Sequence, residues 1–190
     1  MKKNSRGFFS LTLLATLLMV CMSVPGPAQF GSIGKAAGPE FLVYTFKADP
    51  TVKIGYPKGW SVQETQLGAV ITENQTNDSA GILFFIVQLQ QGVNTNDDLA
   101  KTMIAGLQQQ FPDLKPAARQ PHPQAPEVLT IDATLSSEGI PFRAHMWCVA
   151  NAQNRLGLFI VFYAPTARYG SFDANQYLTA AVKPMFEAGK

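Results

Sequence analysis

From about residue 40 onward the apolar positions change period several times, and each change marks an element. Residues 41–46 and 51–56 are short runs rich in aromatic and β-branched side chains, separated by Lys47-Ala48-Asp49-Pro50, whose Asp-Pro pair is a turn signal; they predict two strands. Pro57-Lys58-Gly59 turns the chain again. Residues 60–63 and 69–73 read as the next extended segments, with Gly68 allowing a bend between them, and 74–79 is an all-polar loop. Residues 82–87 and 158–163 are apolar without interruption, the pattern of strands covered on both faces. Residues 128–135 alternate instead. Leu129, Ile131, Ala133 and Leu135 share one side and Thr130, Asp132 and Thr134 the other, so this strand shows a face to water or lies near an edge. Segments 140–149 and 156–164 flank the polar stretch 151–154, which has hairpin length, and should pair antiparallel.

Two helices complete the pattern. Asn96 caps and Asp97 and Asp98 charge a helix start, after which Leu99, Met103, Leu107 and Phe111 follow at intervals of four until Pro112 ends the run. Asp173 with Gln176 makes a variant capping box ahead of the stripe Tyr177, Leu178, Ala181, Val182 and Met185. Strands buried on both faces need cover on both sides. The expected fold is therefore α+β, an antiparallel β-sheet with helices packed on its faces.

Ahead of that domain the chain reads differently. Lys2, Lys3 and Arg6 stand without an acid, 8–22 is a near-continuous apolar run, and 23–28 is small-residue and broken by proline, the three-part layout of a secretory signal. The apolar run falls short of the roughly 18 residues of a membrane span. Gly26 and Ala28 place cleavage after Ala28, making 1–28 a signal peptide, 29–39 a flexible leader and 40–190 one domain. The alternative is a lipoprotein anchored at Cys21, disfavoured by the bulk of Val20 before it. The expected location is the periplasm or the extracellular space. Without 1–28, twelve basic residues face thirteen acidic ones, so there is no basic footprint for nucleic acid, and membrane association is expected only through Cys21 or an uncleaved signal.

Candidate chemistry is sparse. Cys148 is the only cysteine after residue 28, which excludes an internal disulfide; alternation places it with Phe142, Ala144 and Met146 on a buried face, as an inert core thiol. His145 shares the opposite face with Arg143 and Trp147 and reads as a structural histidine. His122 sits between Pro121 and Pro123 in a solvated stretch, and Asp97-Asp98 is explained as helix-start charge. No hydrolase elbow, phosphate loop, dinucleotide fingerprint or His-Glu-x-x-His occurs. No catalytic, cofactor-binding or metal residue is assigned, no cofactor is implied, and the chain is not expected to be an enzyme. The proline-rich stretch 115–126, holding Pro116, Pro121, Pro123 and Pro126, reads as an extended surface connection, a spacer or a segment that a partner grips. Asn74-Gln75-Thr76 and Asn77-Asp78-Ser79 match the glycosylation sequon but, behind a bacterial-type Met-Lys-Lys start, read as a polar turn.

Lys53-Ile54-Gly55-Tyr56-Pro57-Lys58-Gly59-Trp60, followed by Gly68-Ala69-Val70-Ile71, resembles the opening of PsbP-like domains, and the element order fits them over about residues 41–188. The resemblance implies an α/β/α sandwich, an exported bacterial member, and a superfamily that includes extrinsic photosystem II proteins, a Ran-binding nuclear import factor and secretion-associated proteins; its members mostly bind partners. It carries over no binding residue, and Tyr56 and Trp60 are explained as turn-packing aromatics. The expected function is an exported, non-enzymatic accessory or binding protein of the bacterial envelope, with another envelope protein or complex as partner. The alternative is a small hydrolase or a ligand carrier.

Overall fold

The computed structural model describes residues 38–74 and 76–187. The expected signal peptide 1–28, Cys21 and the expected leader up to residue 37 lie outside them. The two unbroken apolar runs are the middle of the sheet: β5 (Gly81–Gln88) and β10 (Leu156–Pro165) pair antiparallel with Phe85 opposite Phe159. Successive side chains on a strand point to opposite faces, so each run supplies both. Leu83, Phe85, Phe159 and Val161 enter one core, and Ile82, Phe84, Ile160 and Phe162 enter the other.

β3 (Ser61–Thr65) and β4 (Gly68–Thr72) extend the sheet beyond β5, while β9 (Ile140–Asn151) and β8 (Ala125–Ser137) extend it beyond β10. All pairings are antiparallel. The alternating strand β8 lies toward the edge as its pattern requires: Ile131 and Ala133 are buried, Asp132 and Thr134 exposed.

The first core is covered by α1 (Asn96–Gln110), the second by α3 (Ala174–Glu187) together with the hairpin of β1 (Phe41–Thr45) and β2 (Lys53–Pro57). The chain is thus an antiparallel sheet with helices packed on its faces. Thr95, rather than Asn96, caps α1: its hydroxyl accepts from the Asp98 N–H while the Asp98 carboxylate accepts from the Thr95 N–H, a complete capping box. Asn96 bridges instead to the sheet, donating to the Glu127 carbonyl and accepting from the Ala150 N–H. Asp173 caps α3 through the Gln176 N–H at 3.1 Å. A short helix, α2 (Thr166–Tyr169), precedes it and has no counterpart in the sequence pattern, being a single turn.

Gly55 seats the hairpin on α3. A Cβ there would overlap the Ala180 carbonyl oxygen and lie 2.9 Å from its carbon. That carbonyl has lost its ordinary i+4 donor, because Pro184 has no N–H.

Residues 115–126 are extended and largely exposed, the surface connection that the prolines predict, and they are also paired with the sheet. β6 (Lys115–Pro116) and β7 (Gln120–His122) both pair with β8, the latter through the two-residue turn Pro123-Gln124. Prolines are compatible with strands only where no ladder N–H is needed, and an outermost strand provides that. The segment closes the edge of the sheet, and His122 is half-buried, packed edge-on against Trp147 at 4.9 Å.

Candidate functional site

α1 stops short of the sheet it covers. Pro112 follows its last residues, and a gap opens between the end of α1 at Leu107 and Phe111 and the strands β5, β10, β9 and β8. A cleft of about 70 Å3 results. Leu83, Val161, Ala144 and Met146 form its floor, and Leu107 and Phe111 of α1 form one wall. Phe142 and Tyr163, edge-to-face at 6.1 Å, also line it.

The polar groups of the cleft gather at its mouth, where Asn74, Thr76, Asn77 and Ser79 stand. Asn74 accepts from the Thr76 N–H at 3.2 Å and from the Ser79 hydroxyl, and Thr76 and Ser79 share a hydrogen bond of 2.9 Å. Ser79 is buried. This segment is tied down at two points: Arg168 donates to the two oxygens of Glu73 at 2.7 and 2.8 Å, and Asn77 donates to Glu138 in the β8–β9 turn. Thr72, Asn74, Thr76, Asn77, Ser79 and Ser137 are the polar lining, and none of them is ionisable at neutral pH. The polar turn at 74–79 was legible in the sequence. Its meeting with the strand ends was not, since the lining residues run from Thr72 to Tyr163, far apart in the chain. The stop at Pro112 was the one available signal.

A second cleft, of about 200 Å3, opens beside the first turns of α1. Leu67, Val87, Leu89, Val93 and Met103 line it, with Gln88, Gln90 and Thr102 among its polar residues.

On the opposite face, cross-strand register brings Asp132 beside His145. The imidazole Nδ1 lies 2.8 Å from Asp132 Oδ1, while Nε2 receives the Trp147 indole N–H at 3.2 Å and stands 3.1 Å from Asn175 Oδ1. Nε2 therefore faces both a donor, the Trp147 indole N–H, and an acceptor, Asn175 Oδ1, while Nδ1 faces the Asp132 carboxylate. An aspartate–histidine pair is half of a general-base arrangement, but here the indole occupies the nitrogen that would take a substrate's proton. Arg143 lies 4.5 Å over the Tyr169 ring beside this pair, and burial, then the Asp132 carboxylate, push the Tyr169 hydroxyl up. The histidine is held on both nitrogens as a structural residue.

The other singled-out residues stay apart. Cys148 is fully buried on the α1 face, and burial pushes its thiol up to about 12. Trp60 is half-buried, stacked obliquely on Tyr177 at 5.5 Å, and Tyr56 packs at the margin of the same core. Asp97 pairs with Lys101 and Arg119, both at 2.6 Å, in its role at the helix start. Among the described residues no three His, Cys, Asp or Glu side chains stand together as a metal-holding group, and no helix is long and apolar enough to cross a membrane.

No protein-family profile and no curated protein sequence matches the chain. Solved structures do. The Ran-binding protein Mog1p of Saccharomyces cerevisiae is similar with a TM-score of 0.50 at 9% identity, over 80% of this chain and 91% of that one. A point mutant of Mog1 aligns with a TM-score of 0.49 at 10% identity, over 78% and 90% of the two chains. A Pseudomonas aeruginosa protein of unknown function aligns with a TM-score of 0.39 at 12% identity, over 78% and 92%. At such identities the likeness is one of fold. It corrects the resemblance drawn from residues 53–60 to an exported member of the photosystem II extrinsic type, because a Tyr-Pro-x-Gly-Trp turn serves chain reversal in any such sheet and carries no lineage; the fold shown is that of Mog1p.

Proposed function

We propose that the protein is a non-enzymatic binding module of the bacterial envelope, exported through residues 1–28, and that it takes a protein partner as an added strand along β1. The observation that carries the protein-binding part is the free edge of that strand. Glu40 and Phe46 bond toward β2, through the Lys58 N–H to Glu40 carbonyl and Phe46 N–H to Val52 carbonyl bonds. Antiparallel bonding alternates along a strand, so Phe41, Val43 and Thr45 turn their backbone groups away from β2. No described strand pairs with that side. Val43 is 58% exposed and Leu42 37%, both on this edge strand. An unpaired, apolar edge is a template for a further strand. The name of the similar Mog1p, a Ran-binding protein, supports a partner that is a protein. The basic start and the apolar run of 8–22 support export.

Val43→Pro tests the reading, because it removes an outward N–H and leaves the bonds to β2 in place. Crosslinked complexes recovered from native envelopes with wild type should be absent with the variant, at nearly unchanged thermal stability. Should the proline variant unfold, Val43→Lys places a charge on the same edge. Equal recovery of the same partners overturns strand addition. Turnover of a substrate by the purified protein in a hydrolase screen overturns the non-enzymatic part, and an N-terminus at Cys21 or Met1 in the exported form overturns cleavage after Ala28.

A further inference from the structure

We propose that the cleft at the end of α1 is a binding site for a small neutral amphiphile, a single ring or short alkyl chain bearing one hydroxyl or carbonyl group. This site lies on the α1 face, whereas the β1 edge lies on the α3 face. The two proposals therefore stand or fall separately.

The cleft is a built feature. α1 ends at Gln110 with Phe111 as its cap, ahead of Pro112; Asn74, Thr76 and Ser79 are held by hydrogen bonds to one another, and Arg168–Glu73 and Asn77–Glu138 fix their neighbours over the gap. A loop anchored in this way presents its mouth already formed, which lowers the ordering that binding requires. Its size sets the ligand's size. Roughly 10–15 Å3 holds one water, so about 70 Å3 holds on the order of five to seven water-sized positions, a ring or a short chain and no long lipid.

Polarity sets the ligand's class. The floor and wall, Leu83, Leu107, Ala144, Met146 and Val161, offer water no partners, and apolar voids favour apolar guests. Met146 adds a flexible, polarisable surface that adapts to different shapes. At the mouth stand only amides and hydroxyls, which match one neutral polar head. A carboxylate or ammonium would enter a half-enclosed site without a lining counter-charge and lose hydration it could not replace. A ligand of this kind is oriented tail inward and head toward Asn74, Thr76 and Ser79.

The test uses 4-ethylphenol and 4-ethylbenzoate, which share a ring and tail but differ in the charge of the head. Methionine methyl resonances of the purified full chain report the two clefts separately, Met146 for this site and Met103 for the one beside the first turns of α1. The phenol should shift Met146 saturably and leave Met103 unmoved, and the benzoate should bind at least about tenfold more weakly, a difference of about 1.4 kcal/mol. Ala144→Leu, which adds bulk to the floor, should abolish the Met146 response. If that variant does not fold, the wild-type comparison alone decides. No saturable Met146 shift up to the solubility of the phenol, or a response at Met103 only, overturns the site; equal affinity for the two probes overturns the neutral class.

Discussion

Gly55→Ala should destabilise the protein by about 2 kcal/mol, although a glycine in mid-strand is ordinarily improved by alanine. Relieving the unfolded chain of glycine's freedom stabilises by about 0.4–1 kcal/mol where the native backbone accepts a Cβ. Here the Cβ would overlap the Ala180 carbonyl oxygen and stand 2.9 Å from its carbon. These are backbone atoms of a helix and cannot rotate aside. β2 and α3 must separate, and overpacking of this kind costs about 1–3 kcal/mol, with rigid neighbours placing it at the upper end. The entropy gain offsets at most about 1 kcal/mol of it. For a domain of this length each kcal/mol lowers Tm by about 2–4 °C, so thermal unfolding should move down by about 4–8 °C. Gly92→Ala is the control: its φ of +91° strains an alanine locally, but nothing lies within 4 Å of the added carbon, and the loss should stay near 1 kcal/mol. Circular dichroism melts with matched urea titrations measure both. A Gly55→Ala protein as stable as wild type, or more so, would refute the close seating of the hairpin on α3.

Thr95→Ala removes one half of the capping box of α1 and should cost about 1 kcal/mol in urea unfolding, whereas Asn96→Ser, which keeps the cap, should cost stability only through its bonds to Glu127 and Ala150. Native Cys148, fully buried with its thiol pushed up to about 12, should resist a thiol reagent at mildly alkaline pH and react promptly once denaturant is added. Glu64 accepts the Lys47 and Ala48 N–H groups and the Tyr44 hydroxyl, and the two backbone bonds hold its carboxyl below the ordinary value. A lowered folded pKa means stability that is present above the unfolded value of about 4.3 and is lost as pH falls through the folded one. The urea midpoint should therefore drop on acidification, and Glu64→Gln should flatten that acid limb while lowering stability at neutral pH; an unchanged acid limb would show that the carboxylate does not hold the β1–β2 turn.

Much of this fold was legible because local patterns and the native sheet agree. The runs at 82–87 and 158–163 have no polar side, and a strand without a polar side must be covered twice; that alone demanded a layer on each face. The alternation in 128–135 placed Asp132 outward and Ile131 inward before any partner was known, and the Phe142–Cys148 side chains followed by the same parity. Capping chemistry placed both long helices to within a residue.

What the sequence could not hold is any relation between distant segments. The prolines of 115–126 read as an extended surface connection, and only the position of β8 one strand from the edge made that segment an outermost pairing, where proline's missing donor is tolerated. His145 and Asp132 have ordinary identities; their register and the Trp147 indole together made them a locked pair. Nothing local marks Gly55 as a close-approach site; the Ala180 carbonyl, left without its usual donor by Pro184, comes against it only in the folded chain. The cleft is the extreme case, since it is the space between where one helix ends and where another loop folds back. Side-chain period is a property of a few neighbouring residues and is written in them, whereas a void, an edge or a register exists only once segments far apart in the chain have packed.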